Sequence, residues 1–163
     1  MAISTIQFSE LANFVFNPKV LEKRQLSLVP CRSLLNPILE VLKNYYNKIQ
    51  FESIREMVIR QDGIVLLQGP PGTGKTSTLL GLLAAQYEYF KECGEKKKIM
   101  ICAPSNAAID HITKRLICEG LLNGKGETIK PKVLRTGIVE SNDDDIKSAS
   151  LDHICEKAIF EAN

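Results

Sequence analysis

Eight consecutive residues, Gly69-Pro-Pro-Gly-Thr-Gly-Lys-Thr76, constrain this chain more than any other stretch. They fit the spacing G-x-x-x-x-G-K-[ST], in which a glycine-rich turn leaves a strand and runs into a helix. Glycine tolerates positive φ and carries no side chain, so successive backbone N–H groups can face one concavity. A helix that starts at the end of the turn adds its unpaired first amides and the positive end of its dipole. Such a cradle suits the oxygens of a nucleoside triphosphate, ATP first among them. Gly69, Pro70, Pro71, Gly72, Thr73, Gly74, Lys75, Thr76 and Ser77 are the candidate binding residues. Lys75 supplies a point charge for the β- and γ-phosphates. The Thr76 hydroxyl suits one site on Mg²⁺, which otherwise keeps waters and phosphate oxygens. These two are the candidate catalytic residues. Pro70 and Pro71 stiffen the turn and remove donors where none is required. The alternative is an ordinary glycine-rich turn between a strand and a helix.

The flanking pattern favours the phosphate reading. Residues 63–68 form a short apolar run opened by glycine, the pattern of a strand buried on both faces. A helix is predicted over about residues 75–91, with Leu79, Leu80, Leu83 and Tyr87 packing inward. Residues 98–103 repeat the buried-strand pattern, and Pro104-Ser105-Asn106 ends it. The helix predicted next, over about residues 107–122, turns Ile109, Ile112 and Leu116 inward. Residues 132–135 read as a third strand. Strand and helix in alternation predict an α/β fold: a parallel sheet flanked by helices.

Upstream, Asn36-Pro37 reads as the cap and first position of a helix with Ile38, Leu42 and Tyr45 on one face. A second helix starts near Asn47, with Ile49, Ile54 and Val58 sharing a face. In residues 1–35, Phe8, Leu11, Ala12 and Val15 recur at helical spacing before Pro18 and Pro30 interrupt. Lys91, Lys96, Lys97 and Lys98 surround Gly94 and read as a solvated turn. Residues 140–145 read as a polar loop. A last helix over about residues 150–162 turns Ile154, Ala158 and Ile159 inward.

A length of 163 residues suits one domain. A net charge of +2, with 25% of residues charged, neither demands nor excludes a nucleic-acid partner. Cys31, Cys93, Cys102, Cys118 and Cys155 are odd in number and form no C-x-x-C pair. That speaks against a disulfide framework or zinc cluster and predicts free, mostly buried thiols in a reducing compartment. No basic start leads into a long apolar run, and no apolar stretch is long enough to span a bilayer. A soluble intracellular protein with no membrane partner is expected.

After the second predicted strand the chain reads Ala103-Pro-Ser-Asn-Ala-Ala-Ile-Asp110. Here it resembles the superfamily 1B helicases, and within them the senataxin-like and nonsense-mediated-decay-type RNA helicases. In that family the phosphate loop, or Walker A motif, is followed one helix and one strand later by A-P-S-N-x-A-x-D. The resemblance implies that Pro104, Ser105 and Asn106 touch the backbone of single-stranded RNA or DNA. The residue types suit that role, since Ser, Asn and the amides of a helix start donate to phosphates. Ser105 or Asn106 acting only as an N-cap is the alternative, and the two roles can coexist.

Upstream, Tyr46-Asn47-Lys48-Ile49-Gln50-Phe51-Glu52-Ser53-Ile54 is similar to the family's L-N-x-S-Q-x-x-A-I. The resemblance implies that Gln50 reads the adenine edge, accepting from the amino group and donating to a ring nitrogen. The spacing Asn47-x-x-Gln50 is equally a capping-box variant. Tyr46, Ile49 and Ser53 depart from the family pattern. Arg24-Gln-Leu-Ser-Leu28, Leu34-Leu-Asn-Pro37 and Leu134-Arg-Thr-Gly137 are weaker similarities. The resemblance covers most of residues 24–155, with specific motifs in residues 46–110.

The resemblance implies a P-loop NTPase of the RecA-like kind. Residues 1–35 then precede the motor, and residues 36–163 are the N-terminal portion of a helicase ATP-binding domain, with an incomplete sheet. ATP and Mg²⁺ are the implied cofactors, and the nucleus is the favoured location. Hydrolysis in this family needs an acidic D-E-A motif at the end of a further core strand, to bind Mg²⁺ and orient water. After Asp110 no apolar run ends in Asp-Glu, and Asp143-Asp144-Asp145 follows a polar stretch. The family's sensor glutamine, second RecA-like domain and arginine finger are likewise not found in these residues. The expectation is a piece of an ATP-dependent helicase that is inactive by itself. A non-catalytic nucleotide-binding or interaction module is the alternative. An AAA-type ATPase fits less well, because its acidic motif would fall within this length.

Overall fold

A computed structural model describes residues 32–59, 65–94, 96–139 and 143–161. The readings for residues 1–31, including Cys31, for Gly63 and Ile64, and for residues 140–142 and 162–163 lie outside the described residues.

A 3-10 turn, Arg32–Leu35, leads into helix α1, Asn36–Tyr45. Pro37 sits in its first turn, where a missing N–H costs nothing. The cap position falls on Leu35 rather than on the predicted Asn36, and no side chain closes that end. Ile38 and Leu42 are fully buried. The stripe then continues at Tyr46, which packs against the core, while the predicted Tyr45 is 69% exposed. The spacing is i, i+4, i+8, so the inward position falls one residue later. Tyr46 is extended and already outside the helix.

Helix α2 spans Lys48–Ile59. Its predicted cap forms: the Gln50 amide donates to Asn47 Oδ1 at 2.9 Å. Ile54 and Val58 are buried, with Phe51 packed one turn earlier. Ile49 is 81% exposed, because five residues before Ile54 it falls on another face.

Helix α3, Lys75–Glu92, matches its predicted span closely and is the centre of the core. Leu80, Leu83, Ala84, Ala85 and Tyr89 are buried against α1, α2 and the 3-10 turn. Gly81 is where α2 comes closest. A Cβ there would lie 2.5 Å from Ile54 Cδ1 and 2.9 Å from the Tyr46 ring. Leu35, Ile38, Leu42 and Ile54 are the largest fully buried side chains. Each contributes about 1.5–3 kcal/mol of transfer free energy.

Helix α4, Asn106–Cys118, stops short of its predicted end. Gly120, at φ +74°, turns the chain, and a Cβ there would lie 2.5 Å from the Ile129 carbonyl oxygen. Leu121–Leu122 (β1) then pairs antiparallel with Thr128–Ile129 (β2). Glycines at 120, 124 and 126 disguise this hairpin as a loop in the sequence. Asn123 organises it: its buried Oδ1 accepts from the amides of Lys125 and Glu127, each at 2.9 Å.

The predicted parallel sheet does not form among the described residues. Residues 65–68 and 98–103 carry no backbone hydrogen bond to another described residue, and Leu66 and Met100 are 89% and 86% exposed. A strand is a paired object, and its propensity cannot supply the partner. Of the third predicted strand only Arg135 pairs, in a parallel bridge to Ser150.

The predicted polar loop ends in a helix start. Asp143 caps the short helix α5, Asp144–Ser148, and pairs with Lys114. Helix α6, Leu151–Glu161, has no buried residue, so Ile154 and Ile159 are not inward as predicted. Among the described cysteines Cys93 is half-buried and Cys102, Cys118 and Cys155 are exposed, which corrects the expectation of mostly buried thiols. No described helix is long and apolar enough to cross a membrane.

Candidate nucleotide-binding site

The loop before α3 takes its shape from two glycines. Gly72 and Gly74 hold φ of +80° and +81°, the left-handed region that other residues rarely enter. Between them, Thr73 folds back on Pro70: its hydroxyl donates to the Pro70 carbonyl at 2.9 Å. Gly74 is the N-cap residue of α3, and no side chain closes that end. Among the described residues the amides of Gly74, Lys75, Thr76 and Ser77 have no protein acceptor, so the helix start presents bare donors. The Lys75 ammonium lies across the loop, donating to the carbonyls of Gly69 at 2.7 Å and Pro70 at 2.8 Å. Anchored to two neutral acceptors, it is a cation poised at the rim of the cradle.

Gln50 reaches this loop from α2. Its Nε2 donates to the Thr73 carbonyl at 3.3 Å, across 23 residues. A Cβ on Gly74 would lie 2.4 Å from the same nitrogen. The cap bond and the loop contact therefore fall on two residues. Asn47 caps α2, while the Gln50 side chain turns away to the phosphate loop and leaves its Oε1 without a protein donor.

Helix α4 is tied to the same region. Arg115 grips Glu119 through Nε at 2.9 Å and Nη2 at 2.8 Å, and its Nη1 donates to Ser77 Oγ at 3.4 Å. The guanidinium holds the Glu119 carboxyl below the usual carboxylate range. Tyr46, beside this pair, has its phenol pushed up to about 12, chiefly by burial and then by Tyr45.

At the start of α4, Ser105 is extended, and its Oγ accepts from the Ala108 amide at 3.3 Å. Pro104 and Ser105 are exposed and Asn106 is half-buried. No hydrogen bond joins these three to the phosphate loop among the described residues; the link runs through α4 and Arg115. Asn106 Oδ1 instead accepts from Arg135 Nη2 at 3.2 Å. Sequence reasoning did not single out Arg115 or Arg135 individually. Arg135 stands in the quoted Leu134-Arg-Thr-Gly137, but nothing local shows a partner 29 residues away.

Residues 45–162 match the family model described as an AAA domain. The chain is 34% identical to helicase sen1 of Schizosaccharomyces pombe over 82% of its own length and 9% of that protein. It is 36% identical to helicase SEN1 of Saccharomyces cerevisiae, over 77% of this chain and 6% of that one. It is 28% identical to the probable helicase senataxin of Mus musculus, over 88% of this chain and again 6% of the relative. The chain thus spans less than a tenth of the length of these relatives.

Proposed function

The chain belongs to the AAA domain family and, within it, to the senataxin-like superfamily 1 helicases, and from that premise we propose how it works. It forms the ATP-binding portion of an ATP-dependent RNA/DNA helicase that couples hydrolysis to movement along a single strand. Residues 36–163 are the N-terminal portion of a RecA-like domain whose sheet is incomplete in this chain, preceded by residues 1–35. RNA processing in the nucleus is the favoured setting.

The observation that carries this reading is Gln50 on the Thr73 carbonyl beside Gly74. It joins a base-reading amide to a phosphate cradle, as a nucleotide requires at its two ends. The bare amides from Gly74 to Ser77 and the Lys75 ammonium hold the β- and γ-phosphates. The free Oε1 of Gln50 accepts from the adenine amino group. The Thr76 hydroxyl makes no hydrogen bond among the described residues, so it fits a ligand site on Mg²⁺. That ion, when bound, neutralises phosphate charge. Pro104, Ser105 and Asn106 contact the nucleic-acid backbone.

Binding of a fluorescent ATP analogue with Mg²⁺, together with phosphate release, tests this reading. The 163-residue chain binds and releases phosphate at a negligible rate. Lys75→Ala weakens binding about 10- to 100-fold, since hydrogen bonds to charged groups contribute about 1.5–3 kcal/mol. Equal binding by the two proteins sinks the assignment of Lys75.

A further inference from the structure

Arg135 is the most buried charged residue among those described, at 5% exposure. Nearly every donor of its guanidinium is committed. Nε donates to Asp110 Oδ1 at 2.9 Å. Nη2 donates to Asn106 Oδ1 and to the Ile138 carbonyl, each at 3.2 Å, and Nη1 donates to the Thr136 carbonyl. Its backbone is held as well. The Arg135 amide donates to the Ala149 carbonyl at 2.8 Å, and the Leu151 amide donates to the Arg135 carbonyl at 2.9 Å. A buried guanidinium persists only when so paired, and its partners inherit its rigidity.

Two of those partners, Asn106 and Asp110, sit one turn apart on α4 and face the same way. Asp110 neutralises the charge. Asn106 does something else. Its amide has one acceptor end and one donor end, and a guanidinium can only donate. The Asn106 oxygen must therefore face Arg135, and this settles which way the amide lies. Its NH₂ group then lies on the other branch of the amide, with no protein acceptor among the described residues. Ser105 beside it accepts from the Ala108 amide through Oγ, and its hydroxyl hydrogen has no protein acceptor among the described residues. The start of α4 thus offers the Asn106 NH₂ and the Ser105 hydroxyl as donors, while the Asn106 oxygen is turned to Arg135.

We propose that Arg135 is a positioning residue for the nucleic-acid face. It locks the Asn106 amide with its NH₂ outward, so that the start of α4 donates to backbone phosphates and discriminates against groups that themselves donate. This rests on the reading that Pro104, Ser105 and Asn106 meet the strand. Arg135 touches no phosphate itself; it acts through Asn106. Lysine cannot replace it, because one ammonium lacks the planar fork that spans Asp110 and Asn106 together.

The test is fluorescence anisotropy of a labelled single-stranded oligouridylate with the 163-residue chain, alongside ATP-analogue binding and thermal melting. Asn106→Ala is expected to weaken oligonucleotide binding about tenfold, the low end for a hydrogen bond to a charged group. Arg135→Lys weakens it about as much and leaves ATP-analogue binding within about twofold. Arg135→Lys added to Asn106→Ala costs no more than about a further twofold, because one path is being cut twice. A merely structural role for Arg135 would give additive losses, and that result overturns the proposal.

The two readings fail differently. If the parent chain does not bind, or both Asn106→Ala and Arg135→Lys bind as the parent does, the nucleic-acid face itself is wrong and the proposal falls with it. If Asn106→Ala loses affinity and Arg135→Lys does not, the face stands and the proposal alone is overturned. Should Arg135→Lys fail to fold, Asn106→Asp decides. It keeps an acceptor for Arg135 but presents an anionic oxygen where the NH₂ had been. A loss larger than that of Asn106→Ala supports the proposal, and a loss no larger than that, or none, overturns it.

Discussion

Replacing Gly81 by alanine sets two known effects against each other. In a helix interior, alanine is favoured over glycine by about 0.8–1.0 kcal/mol. Taken alone, that makes Gly81→Ala a stabilising change in α3. The packing opposes it. The new Cβ would lie 2.5 Å from Ile54 Cδ1 and 2.9 and 3.0 Å from two atoms of the Tyr46 ring. Ordinary carbon contacts are about 3.5–4.0 Å, so the overlap is about an ångström on two sides. Ile54 is fully buried, so its terminal methyl can shift only against packed neighbours. Overpacking of this kind costs about 1–3 kcal/mol, and two simultaneous clashes place it in the upper half of that range. The expected net loss is about 1–2 kcal/mol, read by urea unfolding followed by circular dichroism. Ile54→Val removes the offending Cδ1 and by itself costs about 0.5–1.5 kcal/mol. The double variant should be more stable than the sum of the singles predicts, by at least about 0.5 kcal/mol. If Gly81→Ala instead gains about 1 kcal/mol, or the two changes add within about 0.3 kcal/mol, the close approach of α2 to α3 at this glycine is refuted.

Gly74→Ala forces a side chain into φ +81° and places its Cβ 2.4 Å from Gln50 Nε2. The left-handed conformation costs about 1–2 kcal/mol, so ATP-analogue affinity should fall about tenfold or more; unchanged affinity would contradict this account of the loop. Asn47→Ala removes the cap of α2 and should cost about 0.5–2 kcal/mol in unfolding experiments. Because the same turn carries Gln50, ATP affinity should drop with it, and a loss of stability with full affinity would separate the two. Tyr46 supplies a pH test, since its phenol is raised to about 12. A raised folded value means that its contribution is fully present below the ordinary tyrosine range, near 10, and is lost as pH climbs through about 12. The tyrosinate absorbance difference between parent and Tyr46→Phe should therefore titrate near 12, and a midpoint near 10 would refute the burial of that ring.

Local chemistry was legible in the residues because it depends on near neighbours. The spacing of Gly69, Gly74, Lys75 and Thr76 determines a turn, a helix start and a cation within one short segment. The same holds for Asn47 as the cap of α2 and Ser105 as the cap of α4, each bonding an amide three residues on. Helix faces in α1 to α4 were legible to within a residue or two, whereas the face predicted for α6 buries nothing. They slipped at Tyr45 and Ile49, where a helix end or an i+5 spacing left the core stripe.

What joins distant segments was decided by the tertiary structure. Nothing near Gln50 in the sequence shows that its amide reaches the Thr73 carbonyl; the packing of α2 on α3 put it there. Arg135 was one basic residue among 21 until the chain brought it under Asn106 and Asp110. The runs at residues 65–68 and 98–103 have the composition of buried strands and yet remain unpaired among the described residues. Composition can say that a segment would suit a ladder, but the hydrogen bonds of a ladder belong to two segments. The phosphate loop is the opposite case: its donors, its glycines and its lysine all lie within eight residues, so the sequence by itself was enough to draw it.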